Sequence, residues 1–162
     1  MENYSIRKIK KEDNQEVAAL IRAVFDELNI PKVGTAYEDP YLDLMFEEYN
    51  KPKSVYYVVE KEGRIIGSAG VAQLENETET ICELQKMYFL PETRGLGIGS
   101  QMMAKCLQSA KDFGFEKCYL ETMPFMLDAQ KLYKKVGFEY ICSPMGSTGH
   151  TSCPVWMLKI LD

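Results

Sequence analysis

Between Glu83 and Gln101 the chain passes from an apolar strand pattern, stopped at Pro91, through glycines at alternate positions (Gly95, Gly97, Gly99) into a helical pattern. No other stretch constrains the fold as much, because a strand that feeds a glycine turn and then a helix creates an anion site at the turn. The first N–H groups of a helix have no partner within it and lie at the positive end of its dipole. Glycines reach φ > 0 and let the backbone close on an oxyanion, and Arg94 adds a guanidinium at the rim. The same residues could serve a plain strand-to-helix connection, so the rest of the chain has to decide.

Upstream, Tyr4–Ile9 reads as a strand, and Asp13 and Glu16 are spaced as a capping box for a helix with Val17, Leu20, Ile21, Val24 and Leu28 on one face, ending near Asn29-Ile30-Pro31. Asp39 before Pro40 suits a helix cap and first position, which predicts a short second helix within 34–50. Its acidic residues, Glu38, Asp43, Glu47 and Glu48, interleave with tyrosines and read either as a solvated face or as a wall for a cationic substrate. Ser54–Glu60 and Ile65–Leu74 form a hairpin pattern around Lys61-Glu62-Gly63-Arg64, and Thr80–Leu90 supplies the strand before the glycines.

Downstream, Ile98, Met102, Cys106, Ala110 and Phe113 mark a long amphipathic helix, Glu116–Glu121 a strand, and Phe125, Ala129, Leu132, Tyr133 and Val136 a further helix. Strands at Phe138–Cys142 and Val155–Leu161 flank a loop, Ser143–Thr151. The order βααβββαβαββ predicts an α/β (α+β) mixed sheet with helices on both faces, in a single domain over 1–162.

A net charge of −5 argues against nucleic acid as the main partner. Five scattered cysteines without a Cys-x-x-Cys pair, and one histidine, suggest neither a disulfide framework nor a metal site. The N-terminus lacks an apolar signal core and no apolar run approaches a membrane span, which gives a cytoplasmic expectation and no membrane partner. The glycine spacing differs from Gly-x-Gly-x-x-Gly, no βαβ unit opens the chain, and there is no Gly-Lys-Ser/Thr, so dinucleotide and P-loop sites are disfavoured.

Arg94-Gly95-Leu96-Gly97-Ile98-Gly99 resembles the acyl-CoA signature of the GCN5-related N-acetyltransferase (GNAT) superfamily, in which Arg or Gln precedes Gly-x-Gly or Gly-x-Ala after two residues' spacing. Ala129, Leu132-Tyr133 and Gly137-Phe138 are similar to the family's Ala-x-x-Leu-Tyr…Gly-Phe element, and the element order agrees from end to end. The resemblance implies that the fourth and fifth strands splay to admit acetyl-CoA as cosubstrate, with no metal. Pantetheine would lie along Met87, Tyr88 and Phe89, and the pyrophosphate on the N–H groups of Arg94, Gly95, Leu96, Gly97, Ile98, Gly99 and Ser100. Two positions depart from the pattern. Met126 stands where many members carry Asn, and Leu96 where a basic residue is common.

The implied function is acetyl transfer from acetyl-CoA to a primary amine of a small molecule or peptide, the alternative being a non-catalytic acyl-CoA sensor. Glu83 occupies a place similar to that of the family's carboxylate base, and strand parity groups it with Gln85, Met87 and Phe89 unless a bulge intervenes. Tyr133 matches the tyrosine that protonates the leaving thiolate, and a backbone N–H near Tyr88 or Phe89 is the expected oxyanion donor. Tyr88 and Leu90 could instead point into the core. His150, in the loop where the family shapes acceptor binding, is a second candidate base or acceptor contact, and Cys153 lacks a base at fixed spacing for a covalent route. Homodimerisation is a family-based expectation.

Overall fold

The computed structural model describes residues 3–162. Strand β1 (Tyr4–Lys8) is followed by α1 (Asn14–Leu28), the short α2 (Met45–Tyr49) and the antiparallel strands β2 (Val55–Lys61), β3 (Arg64–Gln73) and β4 (Ile81–Phe89). Then come α3 (Ile98–Asp112), β5 (Lys117–Thr122), α4 (Leu127–Lys135), β6 (Glu139–Ile141) and β7 (Val155–Ile160). The strands form one seven-stranded mixed sheet in the order β1-β2-β3-β4-β5-β7-β6.

Both faces of the sheet are buried, and β2 shows how. Tyr56 and Val58 pack with Val17, Leu20, Ile21 and Val24 of α1, whereas Val55, Tyr57 and Val59 pack with Met102, Met103 and Cys106 of α3. Alternation along the strand thus serves two helical layers at once. Helix α1 stops where Asn29 turns left-handed (φ 52°) and Ile30 returns its N–H to the Phe25 carbonyl, a C-terminal cap that ends the helix before Pro31.

Three local expectations change. The Asp13 carboxylate accepts the Lys10 N–H (2.7 Å) and pairs with Arg7, while Glu16 reaches across to the Ile65 N–H (2.7 Å), so the two acids do not form the expected box. Asp39 caps no helix. Residues 36–38 and 42–44 are single 3₁₀ turns, and the α-helix begins only at Met45. Phe125 lies outside α4 and is exposed, leaving Tyr133 as that helix's buried aromatic residue.

The most consequential departure lies in β4. Gly70 pairs with Gln85 and Ser68 with Tyr88, so Ala69 stands opposite two residues, Lys86 and Met87, and Lys86 takes φ 48°. This β-bulge reverses the parity of the strand. Before it Glu83 and Gln85 face the α1 side, and beyond it Tyr88 takes that side, against Phe25, while Met87 and Phe89 join Cys82 and Leu84 on the α3 side. The expected grouping of Glu83 with Met87 and Phe89 is therefore overturned. Leu90 touches both cores.

The bulge also opens the sheet. Parallel pairing of β4 with β5 runs from Ile81↔Lys117 to Glu83↔Tyr119 and stops, although both strands continue. Leu90 donates its N–H to the Ile66 carbonyl (2.9 Å), so Phe89 turns its own N–H and carbonyl toward the gap between β4 and β5. The bulge is tied down by the Tyr56 hydroxyl, which lies 2.8 Å from both the Lys86 carbonyl and Ser68 Oγ. Tyr56→Phe should remove these bonds from a dry site and lower unfolding free energy by about 1–3 kcal/mol, read by chemical denaturation.

Candidate active site

A cleft opens on the α1 side where β4 and β5 part, and it brings together residues distant in sequence: Glu83, Tyr133 and His150 all line it, with Glu75, Lys86, Tyr88, Glu121, Met126, Thr148 and Cys153. All three side chains expected to do chemistry therefore meet in one place. Glu83 is 6% exposed. Its Oε1 accepts the Gln85 side-chain N–H (2.7 Å), and Gln85 in turn accepts the Tyr49 hydroxyl, which fixes the amide's orientation. Glu83 Oε2 has no partner among the described residues. Burial pushes the Glu83 carboxyl up to about 7; the Gln85 bond pulls it back only in part, and the nearby Glu121 adds to the rise.

Tyr133 is 7% exposed and packs edge-on to Phe138, and its hydroxyl has no hydrogen-bond partner among the described residues. Burial raises this phenol well above its ordinary value, so it stays protonated and able to donate. Burial likewise pushes the Cys153 thiol up to about 12, which keeps it out of the nucleophilic thiolate form.

His150 enters the cleft from the β6–β7 loop and is anchored by a residue that sequence reasoning assigned elsewhere. Its Nε2 lies 3.1 and 3.2 Å from the two Asp39 oxygens. That placement favours a proton on Nε2. Asp39 also pairs with Lys86 Nζ at 2.6 Å, both side chains being largely buried. Burial opposes the Asp39 charge, but the bonds from His150 and Lys86 outweigh it and hold the carboxyl below its ordinary value. The Asp-Pro dipeptide read naturally as a cap, and nothing local signalled an ion pair with residues 47 and 111 positions away.

The expected acidic wall at Glu38–Glu48 is not part of the cleft. Glu38 accepts the Gly34 N–H, Asp43 pairs with Arg22, Glu47 with Asn14 and Glu48 with Lys51, all on the outside. The carboxylates that do line the cleft are Glu75, Glu83 and Glu121.

At the far end of β4 the chain makes a 3₁₀ turn over Pro91–Thr93, and Gly95 (φ 79°) and Gly97 (φ 75°) carry it left-handed into α3. Nothing lies within 4 Å of where a Cβ would stand on either glycine, so the backbone faces open space. The N–H groups of Gly95, Leu96, Gly97, Ile98, Gly99 and Ser100 have no acceptor among the described residues. Arg94 corrects one expectation, because its N–H is spent on the Pro91 carbonyl (3.1 Å) and its guanidinium forks onto Glu27 of α1 (2.8 and 2.9 Å).

A mixed sheet split at its centre, with an anion cradle at the end of one parted strand, defines an α/β acyltransferase-like fold, and known proteins agree. Residues 13–138 match the acetyltransferase (GNAT) family, and the chain is 41% identical to YjgM, an uncharacterized N-acetyltransferase of Escherichia coli, over 96% of this chain and 94% of that one. The protein belongs to the GNAT family. Its fold is shared with a GNAT acetyltransferase of Staphylococcus aureus (TM-score 0.85, 20% identity, covering 98% of this chain and 99% of that one). It is shared too with yncA of Salmonella typhimurium, solved with acetyl-CoA (TM-score 0.77, 16% identity, 99% and 95% covered).

The raised Glu83 value has a consequence for stability. An ordinary glutamate titrates near 4.5, so between that pH and about 7 the folded chain holds more protons than the unfolded one, and stability falls as pH rises across the window. Glu83→Gln removes the buried charge. The variant should be more stable than the parent at about pH 8, by on the order of 2–3 kcal/mol, and lose that advantage at about pH 5. A variant less stable at both, by chemical denaturation, would make Glu83 a structural group.

Proposed function

We propose that residues 1–162 form one acetyltransferase domain that moves an acetyl group from acetyl-CoA directly to a primary amine. One observation carries this reading: at the split of the sheet, a buried carboxylate with a free oxygen and a buried phenol with a free hydroxyl share a cleft, beside a turn whose N–H groups are unpaired. A passive acyl-CoA sensor has no need of either reactive group.

In this reading the pyrophosphate lies on the N–H groups from Gly95 to Ser100, with Arg94 at the rim, and the amide-rich arm runs along Met87, Tyr88 and Phe89. The Phe89 N–H, turned toward the gap, is the candidate to receive the thioester oxygen as it gains charge. An alkylamine with a pKa of about 10.4 is unprotonated in only about one molecule in a thousand at neutral pH. Glu83, poised at about 7, takes its proton directly or through a water. The amine nitrogen then attacks the thioester carbon, the C–S bond breaks as Tyr133 gives its proton to the departing thiolate, and the nitrogen sheds its second proton, which restores the Tyr133 phenol and leaves a neutral amide. The depressed reactivity of Cys153 favours this direct route over a cysteine-bound intermediate.

Isothermal calorimetry should show acetyl-CoA binding that weakens at least tenfold in Gly97→Val, where the new side chain strains a left-handed position and fills the open cradle. No binding by the parent chain would overturn the reading. Thiol release with an amine panel should rise with pH through about 7 and fall by about 100-fold or more in Glu83→Gln and about tenfold or more in Tyr133→Phe. Unchanged turnover in both would overturn the two assignments.

A further inference from the structure

We infer that the acceptor is a diamine-like dication, whose reacting amine lies at Glu83 while a second ammonium group is held by Glu121. The inference rests on the transferase reading and supplies its substrate class.

The charge of the cleft points this way. Glu75, Glu83 and Glu121 line it. The cationic side chain among them, Lys86, is already neutralised by Asp39 at 2.6 Å, and His150 Nε2 faces the same carboxylate. An acceptor bearing a carboxylate would meet three acids and find no free cation among the described lining residues. A second positive centre on the acceptor complements what is there.

Glu121 is built to present its charge at a fixed point. Its Oε2 accepts the Tyr119 hydroxyl and its Oε1 the Thr148 hydroxyl, each at 2.6 Å. Every carboxylate oxygen can accept further bonds, so both retain capacity toward the cleft. Glu121 is half-buried, and among the described residues its carboxylate is bonded by neutral groups alone. Glu83 supplies an independent sign of a ligand, since it is 6% exposed and its Oε2 has no partner among the described residues.

The strand geometry sets the spacing. Glu83 lies across from Tyr119, and Glu121 is two residues further along β5. With strands about 4.8 Å apart and a rise of about 3.3 Å per residue, the two Cα atoms are on the order of 8 Å apart. That separation suits two amines joined by a short, flexible aliphatic chain, for which Tyr88 and Cys153 line the cleft.

The test compares a four-carbon α,ω-diamine with the monoamine of equal chain length, by thiol release from acetyl-CoA. The parent chain should favour the diamine in kcat/KM by at least tenfold. Glu121→Gln should erase the preference by raising KM for the diamine at least tenfold. Thr148→Ala, which removes a hydroxyl donor and keeps the charge, should retain the preference. If Glu121 served only to hold the loop, Thr148→Ala would behave like Glu121→Gln, and the inference would fail. Equal use of both amines by the parent chain, or an intact preference in Glu121→Gln, overturns the acceptor class and leaves acetyl transfer standing. No release with any amine, together with no binding of acetyl-CoA, overturns the transferase reading and this inference with it.

Discussion

The bulge at Lys86–Met87 is the constraint on which the site depends. Were β4 regular, Glu83, Gln85, Met87 and Phe89 would share one face, and the strand could stay paired with β5 along its length. With one extra residue, Glu83 and Gln85 keep the α1 side, while Met87 and Phe89 pack into the α3 core. A left-handed lysine is unfavourable by itself, at roughly 1–2 kcal/mol. Here the surroundings over-determine it: Tyr56 bonds its carbonyl, and its ammonium is held by Asp39. Such a buried pair is weak evidence for net stability, because desolvation offsets the attraction. Its effect is positional, since it ties the bulge to the α1–α2 loop and, through His150, to the β6–β7 loop.

The same region holds groups that do not favour stability. A carboxyl held at about 7 is one the fold would sooner keep neutral, and burial beside Glu121 makes its ionisation costly. Gln85 returns only part of that cost with a single bond, and the second oxygen is left open. Tyr133 follows the same logic, being buried without a partner on a helix whose other polar residue of that kind, Gln130, donates to the Met123 carbonyl and accepts the Tyr140 hydroxyl.

Much of this was legible in the sequence, for reasons specific to certain residues. Glycines at 95 and 97 after a strand announced the turn because φ > 0 and an open backbone have few other solutions, while Gly99 lies inside α3 close to Leu132. Helical stripes and β-branched runs gave the element order, since both faces of the sheet had to be covered. The bulge was hidden because neither glycine nor proline marks it; a lysine takes the left-handed position, and only tertiary partners make that tolerable. Asp39 was misread for the same kind of reason. Its local neighbour, Pro40, suggested a cap, whereas its partners come from β4 and the β6–β7 loop. The acids of 38–48 were visible as a cluster, but which way they point depends on Arg22, Asn14 and Lys51.

Arg94 shows how the anion cradle divides its work. In this structure its guanidinium is engaged with Glu27, an exposed pair of the kind worth about 0–1 kcal/mol in water. Exchanging that carboxylate for a phosphate would therefore cost little, and the side chain serves equally well to pin the turn against α1 beforehand. The N–H groups from Gly95 to Ser100 need no exchange, since they have no acceptor among the described residues to give up. Leu96 in place of a basic residue fits this division, because fixed backbone donors and the start of a fifteen-residue helix supply the attraction without a further side-chain charge. A cradle made of backbone is also the part least exposed to sequence change. Its weak points are then the two left-handed glycines, where any side chain would both strain the turn and occupy the anion's space.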